Sequence, residues 1–231
     1  MGHNLYLFIL LGSIAFPFAF SFDKRLQFFR KWKYMTLSIL LPAVFFVAWD
    51  WLFTYLGVWS FNPDYILGKY LLNLPVEEVA FFFIIPYCCL FVYENMKYFF
   101  PNDPLKSVQN MIAWSLIFLC AILVFKFNRQ LYTSTSSLFL LTALLLHRLV
   151  FKSTYLGMFF LSYGFTLIPF FIVNGLLTSF PVVKYNDMQN VGIRLGTIPV
   201  EDLIYNMVLL LMNIGLYEFF QRKYHKKVAK D

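Results

Sequence analysis

The string Leu74-Pro75-Val76-Glu77-Glu78 returns 124 positions later as Ile198-Pro199-Val200-Glu201-Asp202, and each copy opens a long apolar run. The same offset, without gaps, superposes Leu52 on Leu176, Thr54 on Thr178, Val58 on Val182, Asn62 on Asn186, Gly68 on Gly192 and Tyr93-Glu94 on Tyr217-Glu218. One unit was therefore duplicated within the chain. Whatever fold the first copy adopts, the second repeats, and both keep paired acids where acid is costly.

That cost follows from the surroundings. The chain is 60% hydrophobic and 13% charged, with a mean hydropathy of +0.66, more apolar surface than a domain in water tolerates. Apolar stretches of about 17 to 25 residues, the length that crosses a bilayer as helix, run at 4–22, 34–56, 76–95, 108–126, 132–150, 155–177 and 200–220. The expected fold is all-α, a polytopic membrane bundle of seven transmembrane helices. Ser134-Thr135-Ser136-Ser137 dilutes the start of the fifth. Met1-Gly2-His3-Asn4 leads straight into the first span without the basic start and small-residue cleavage site of a signal peptide, so that span is expected to be retained.

The net charge of +7 admits a nucleic-acid partner in principle, but its distribution points to topology instead. Basic residues collect after spans one, three, five and seven, for example Lys24, Arg25, Arg30, Lys97, Arg148 and Arg222, whereas the other side receives Lys69, Lys126, Arg129, Lys184 and Arg194. The positive-inside rule then places the N-terminus outside and the C-terminus in the cytoplasm of a multi-pass cell-membrane protein.

Spans one to three and five to seven form the two copies. An odd-numbered unit keeps its orientation on duplication when a further span connects the copies, so the repeats are parallel and related by a pseudo-two-fold axis along the membrane normal. The units read as 1–100 for the first three-helix repeat, 101–130 for the connecting helix and 131–231 for the second repeat with its basic tail. Both acidic motifs then lie at the same end of the bundle, at the starts of spans three and seven, where one pocket between the copies is easily formed. Loops of about 20 residues precede the motifs, a length associated with function or disorder, and Asn62-Pro63-Asp64, Gly68, Asn186-Asp187 and Gly192 mark turns within them.

Proline followed by acids is an ordinary way to begin a helix, since the missing N–H costs nothing there and carboxylates face the positive dipole end. Two consecutive acids ask for more. Neighbours on a helix diverge by about 100°, so one member of each pair points inward or meets lipid. Glu77, Glu78, Glu201 and Asp202 are accordingly the leading catalytic candidates. Asp50 joins them, flanked by Trp49 and Trp51 and matched in the second copy by Asn174, a polar atom in each half. Asn206 and Asn213 extend a polar stripe below Asp202, whereas Glu78 is followed by Phe82, Ile85 and Cys89, so the copies have diverged in role. Trp49, Trp51, Trp59, Phe81, Phe82, Tyr205, Asn206 and Asn174 are candidate substrate contacts, the rings because aromatic faces stabilise cations. Glu94 and Glu218, roughly 25 Å further along their helices, pair with Lys97 and Arg222 at helical spacing and read as structural.

Cys88, Cys89 and Cys120 lack metal or redox spacing and read as buried free thiols, while His3, His147 and His225 read as interfacial. Gly57, Gly68 and Gly157 stand alone, so no dinucleotide fingerprint exists and neither a cofactor nor a metal is expected. A retinal Schiff base needs a lysine in the last span, and 203–220 contain none; no Asp-Asp-x-x-Asp string for a magnesium diphosphate is present.

Two proline-led acidic pairs, Pro75-Val76-Glu77-Glu78 and Pro199-Val200-Glu201-Asp202, in a duplicated three-span unit resemble the lycopene cyclase domain family of heterodimer-type and fungal-type carotenoid cyclases, here in a fused two-repeat form. The resemblance covers nearly the whole chain. It implies a lipophilic carotenoid substrate such as lycopene, surrounding membrane lipid, no nucleic acid and no cofactor. The implied reaction is an acid-catalysed, intramolecular cyclisation of a linear end group to a cyclohexene ring without net redox change, an isomerase of the intramolecular lyase type. Such a site needs a protonated carboxyl, a cation-stabilising wall, a base and exclusion of water. The competing reading is a proton- or cation-coupled carrier that binds its ion with the paired acids.

Overall fold

The computed structural model describes residues 2–228, with side chains described for 2–224. Among these, seven helices are long and apolar enough to cross a membrane, the first and fifth when counted with the helical turns that adjoin them (Gly2–Phe20 and Leu131–Val150): α1 (Leu5–Phe20), α2 (Trp32–Tyr55), α3 (Val76–Phe99), α4 (Gln109–Lys126), α5 (Leu131–Leu145), α6 (Leu156–Ser179) and α7 (Glu201–Val228). They occupy the expected apolar runs, and α5 forms despite its hydroxyls. Ser134, Thr135 and Ser136 donate back to the carbonyls of Leu131 and Tyr132, which satisfies three of the four hydroxyls of this stretch inside the helix. Outward faces stay apolar, as Phe118 and Phe125 of α4 show, because nothing but lipid tails awaits them.

The 124-residue repeat is visible element by element. Strand β1 (Trp59–Phe61) corresponds to β4 (Val183–Tyr185), and the hairpin of β2 (Tyr70–Leu71) with β3 (Leu74–Pro75) corresponds to that of β5 (Arg194–Leu195) with β6 (Ile198–Pro199). β1 and β4 pair antiparallel with Trp59 opposite Tyr185, Ser60 opposite Lys184 and Phe61 opposite Val183. Ser60 and Lys184 are themselves repeat mates, so the pseudo-two-fold axis passes between them. Reciprocal backbone bonds flank it, Asn62 N–H to the Val182 carbonyl and Asn186 N–H to the Val58 carbonyl, both 2.9 Å. The two long loops are thus one ordered cap that ties the copies together. Around the axis α2 packs on α7 and α6 on α3, with α1 beside α3 and α5 beside α7. Helix α4 lies outside this arrangement against α5, as a connector does.

Each loop turns through an Asx contact and a glycine. The side chains of Asn62 and Asn186 accept from Asp64 N–H and Met188 N–H, both at 3.1 Å. Gly68 and Gly192 then adopt φ of +70° and +74°, and a Cβ at either meets nothing within 4 Å. Alanine at either position therefore costs only the left-handed backbone penalty, about 1–2 kcal/mol. The expected result is a lowered thermal midpoint for Gly68→Ala or Gly192→Ala in detergent, with the native helical content kept.

At the opposite end of the bundle the structural reading of Glu94 and Glu218 holds. Glu94 is paired with Lys31 and, at 3.2 Å, with Lys97, which also reaches Glu218 at 2.9 Å, while Tyr93 donates to Glu218 at 2.8 Å. These bonds join α3 to α7 across the axis.

The histidine reading is corrected in part. His3 is exposed, but His147 is buried, its Nδ1 2.9 Å from Ser153 Oγ and 3.1 Å from the Tyr155 hydroxyl. It sits in a π-helical turn, Leu146–Val150, that rotates the ring inward against α7 at Gly215, where an added Cβ would lie 2.8 Å from the ring. The side chain of His225 lies outside the described residues. Cys88, Cys89 and Cys120 are unpaired thiols, Cys88 half-buried and the others buried.

Candidate active site

Because α3 and α7 begin at the same end and face one another across the axis, the second acid of each motif points into one shared cavity. Glu78 and Asp202 both line it, together with Asp50 from α2. All three carboxyls are buried. The cavity measures about 60 Å³ and lies beneath the β1–β4 cap, whose Trp59 and Tyr185 form part of its wall.

Each carboxyl is held by phenols. The Tyr6 hydroxyl donates to Glu78 at 2.6 Å, and Tyr205 donates to Asp50 at 2.5 Å. Tyr132 and Tyr185 donate to the two oxygens of Asp202 at 2.6 and 2.9 Å. Asp50 and Glu78 line the same cavity close enough to act on each other electrostatically. The halves therefore differ: one presents a carboxyl pair, the other a single carboxyl gripped by two donors. Burial, with the Asp202 carboxylate beside it, holds the Tyr185 phenol well above its ordinary range, so it stays a donor at neutral pH.

The first acid of each motif does something else, and does it twice. Glu77 accepts from Leu67 N–H at 2.6 Å, and Glu201 from Val191 N–H at 2.8 Å, the same backbone position ten residues upstream in each copy. Glu201 additionally accepts from Thr133 at 2.6 Å. Both fasten the preceding loop to the helix start. Consecutive acids thus divide their labour by the 100° that separates them, one toward the loop and one toward the cavity.

Of the aromatic candidates, Trp59, Phe81 and Tyr205 line the cavity, as do Asn174 and Asn206. Trp59 lies 5.1, 6.1 and 6.2 Å from the rings of Tyr132, Tyr185 and Tyr205, a continuous aromatic wall. Trp49 and Phe82 stand behind it, Trp49 at 5.0 Å from Tyr205 and Phe82 at 5.8 Å from Phe46. Trp51 is not brought there. One helical step from Asp50, it turns outward, partly exposed and stacked on Tyr55 at 6.2 Å. Asn213, further along α7, donates to the Leu209 carbonyl away from the cavity.

Three functional side chains escaped sequence reasoning: Tyr6, Tyr132 and Tyr185. Tyr6 and Tyr132 are second residues of α1 and α5 and play one role, but 126 positions separate them. An ungapped offset of 124 misses that match by two residues. Tyr185 is the repeat mate of Phe61, so its hydroxyl has no counterpart to signal it.

A duplicated seven-helix membrane bundle with a carboxyl-rich, aromatic cavity on its internal axis defines the class: a polytopic membrane protein with a buried acidic site. The family model described as lycopene cyclase matches residues 3–96 and 128–220, one match for each copy. The chain belongs to the lycopene cyclase family, and its membrane-embedded, repeat-built architecture is that of a carotenoid cyclase. No curated protein and no solved structure is significantly similar to it.

Proposed function

We propose that this chain closes the end group of a linear carotenoid such as lycopene to a cyclohexene ring, with the Asp50–Glu78 pair supplying the proton and Asp202 facing the cation. The carrying observation is the contrast between the two halves of one cavity. Two carboxyls that act on each other in one buried cavity favour keeping a proton, because two carboxylates repel. A lone carboxyl that accepts from two phenols holds negative charge more readily than either member of that pair.

The reaction balances without a cofactor. The acid proton adds to the terminal alkene, leaving a tertiary cation; the next internal alkene attacks it, forming the ring bond; and a ring proton leaves to a carboxylate, restoring the alkene. One proton enters and one leaves, an isomerisation. An alkene is a very poor base, so proton donation alone is too weak. Stabilisation of the developing cation by Asp202 and by the faces of Trp59, Tyr132, Tyr185 and Tyr205 supplies the larger share, in a space that admits little water to trap the cation. Glu77 and Glu201 are positioning residues on this reading, holding the cap above the cavity. The charge bias of the loops supports an N-terminus outside and a C-terminus in the cytoplasm, which puts the cavity near the outer leaflet.

The test is expression in cells that accumulate lycopene. Cyclic carotenoid in the extracts is the expected result, and purified chain should make the same product without added nucleotide or metal. Movement of substrate across the membrane with no ring formed would favour the carrier reading instead. A cavity of this kind takes one end group at a time, so time courses should show a one-ring intermediate released before any two-ring product.

A further inference from the structure

A second and larger cavity, about 680 Å³, runs as a groove between α1, α3 and α6. It is almost wholly apolar and extends from Phe81 to Val92 along α3, roughly 16 Å at 1.5 Å per residue. Phe8, Phe16 and Ile172 on its rims are exposed on the outer face of the bundle, so its open side meets lipid. At its upper end it shares Phe81, Phe170, Asn174 and Asn206 with the carboxyl cavity. Along its length below these amides the polar groups are quenched: Ser13 donates to the Ile9 carbonyl, Cys88 to the Ser13 carbonyl and Thr166 to the Tyr163 carbonyl.

Pseudo-symmetry predicts a sister groove between α5, α7 and α2, and that space is filled. Phe45 and Trp49 of α2 meet Phe139 of α5 at 5.3 and 4.6 Å, and Trp49 meets Tyr205 at 5.0 Å. The residues in the corresponding places of the open interface are Pro169, Val173 and Ser13. Two sequence-distant elements thus lost bulk on one side of the axis and kept it on the other. Of these two symmetry-related flanks, one is open.

We propose that this groove holds the linear polyene of a single substrate molecule, entering sideways from the lipid, with its end group delivered between Asp50, Glu78 and Asp202. The identity of the polyene rests on the cyclase reading above; the groove as the binding place of an extended apolar chain does not. An apolar wall with satisfied polar atoms suits an unsubstituted hydrocarbon chain, and the shared residues give a continuous path to the acids. The groove is shorter than an extended carotenoid, so the distal part of the molecule stays in the bilayer.

The decisive variants install the sister side chains, Ser13→Phe with Val173→Trp, and separately Gly12→Leu, whose Cβ would enter open space. Gly164→Leu, equally unobstructed but on the exposed side of α6 away from the groove, is the control. Protein is purified from lycopene-accumulating membranes, its folding checked by thermal melting, and both cyclic product and co-purified polyene absorbance are measured. The absorbance is also read in a Glu78→Gln background, where turnover is blocked. Filled-groove variants should lose bound polyene and lower ring formation on the order of 10²-fold through misplacement of the end group, with Gly164→Leu like the native chain. Folded filled-groove variants that cyclise at the native rate would overturn the proposal, as would a groove carrying phospholipid acyl chains and no polyene. If no ring forms in any variant yet polyene absorbance is lost on filling, the cyclase reading fails while the groove stands.

Discussion

Replacing Glu78 by Gln lowers ring formation on the order of 10²- to 10⁴-fold, the span over which a positioned acid contributes, while polyene remains bound. The amide keeps the size of the side chain and still accepts from Tyr6, so packing survives, but the proton that the proposed mechanism draws from the Asp50–Glu78 pair is gone. Asp50→Asn behaves alike. Asp202→Asn also fails, for a different reason: it removes the negative charge facing the cation, a loss on the order of 10²–10³ in turnover for one such group, with the phenols of Tyr132 and Tyr185 left to hold a neutral amide. The measurement is cyclic product per folded molecule, from pigment extracts and from purified protein with lycopene. Native turnover in Glu78→Gln would remove the carboxyl pair from the chemistry, and native turnover in Asp202→Asn would remove the counter-charge.

Glu201→Ala should be strongly destabilising, and Glu201→Gln far milder. Alanine leaves the Val191 N–H and the Thr133 hydroxyl without their acceptor, each costing about 1–3 kcal/mol when buried. Glutamine keeps an oxygen there. Glu77→Ala loses one donor's acceptor, Leu67 N–H, and should cost about half as much. Thermal midpoints in detergent read the difference directly. The two acids of a motif are thereby separable: the first governs stability with product per folded molecule largely kept, the second governs product with stability largely kept. A Glu77→Gln or Glu201→Gln chain that melts normally yet makes no ring would move those residues into the chemistry.

Much of the site was legible because duplication gave two readings of every position. The spacing placed both proline-led motifs at one end of the bundle, and the match of Asn62 with Asn186 and Gly68 with Gly192 marked the turns of an ordered cap. Asp50 and Asn174 were found as a polar pair, and both do line the cavity. What failed to show was any contact whose partners sit at a different offset or in one copy alone. Tyr6 and Tyr132 fall into the first class and Tyr185 into the second. Trp51 was drawn in by adjacency to Asp50, although neighbours on a helix face different ways.

Apolar run length, charge bias and the internal repeat are properties of the chain read in one dimension. They answer to the bilayer, which demands about 20 apolar residues per crossing whatever the neighbours are, so seven helices, parallel copies and a membrane setting follow from residue order. The rotation of each helix about its own axis answers to packing, where side-chain volumes on distant segments compete for the same space. That competition sent Glu78 and Asp202 inward and Glu77 and Glu201 to the loops, turned His147 under Gly215, and left one flank open at Ser13, Pro169 and Val173 while Phe139, Phe45 and Trp49 closed the other.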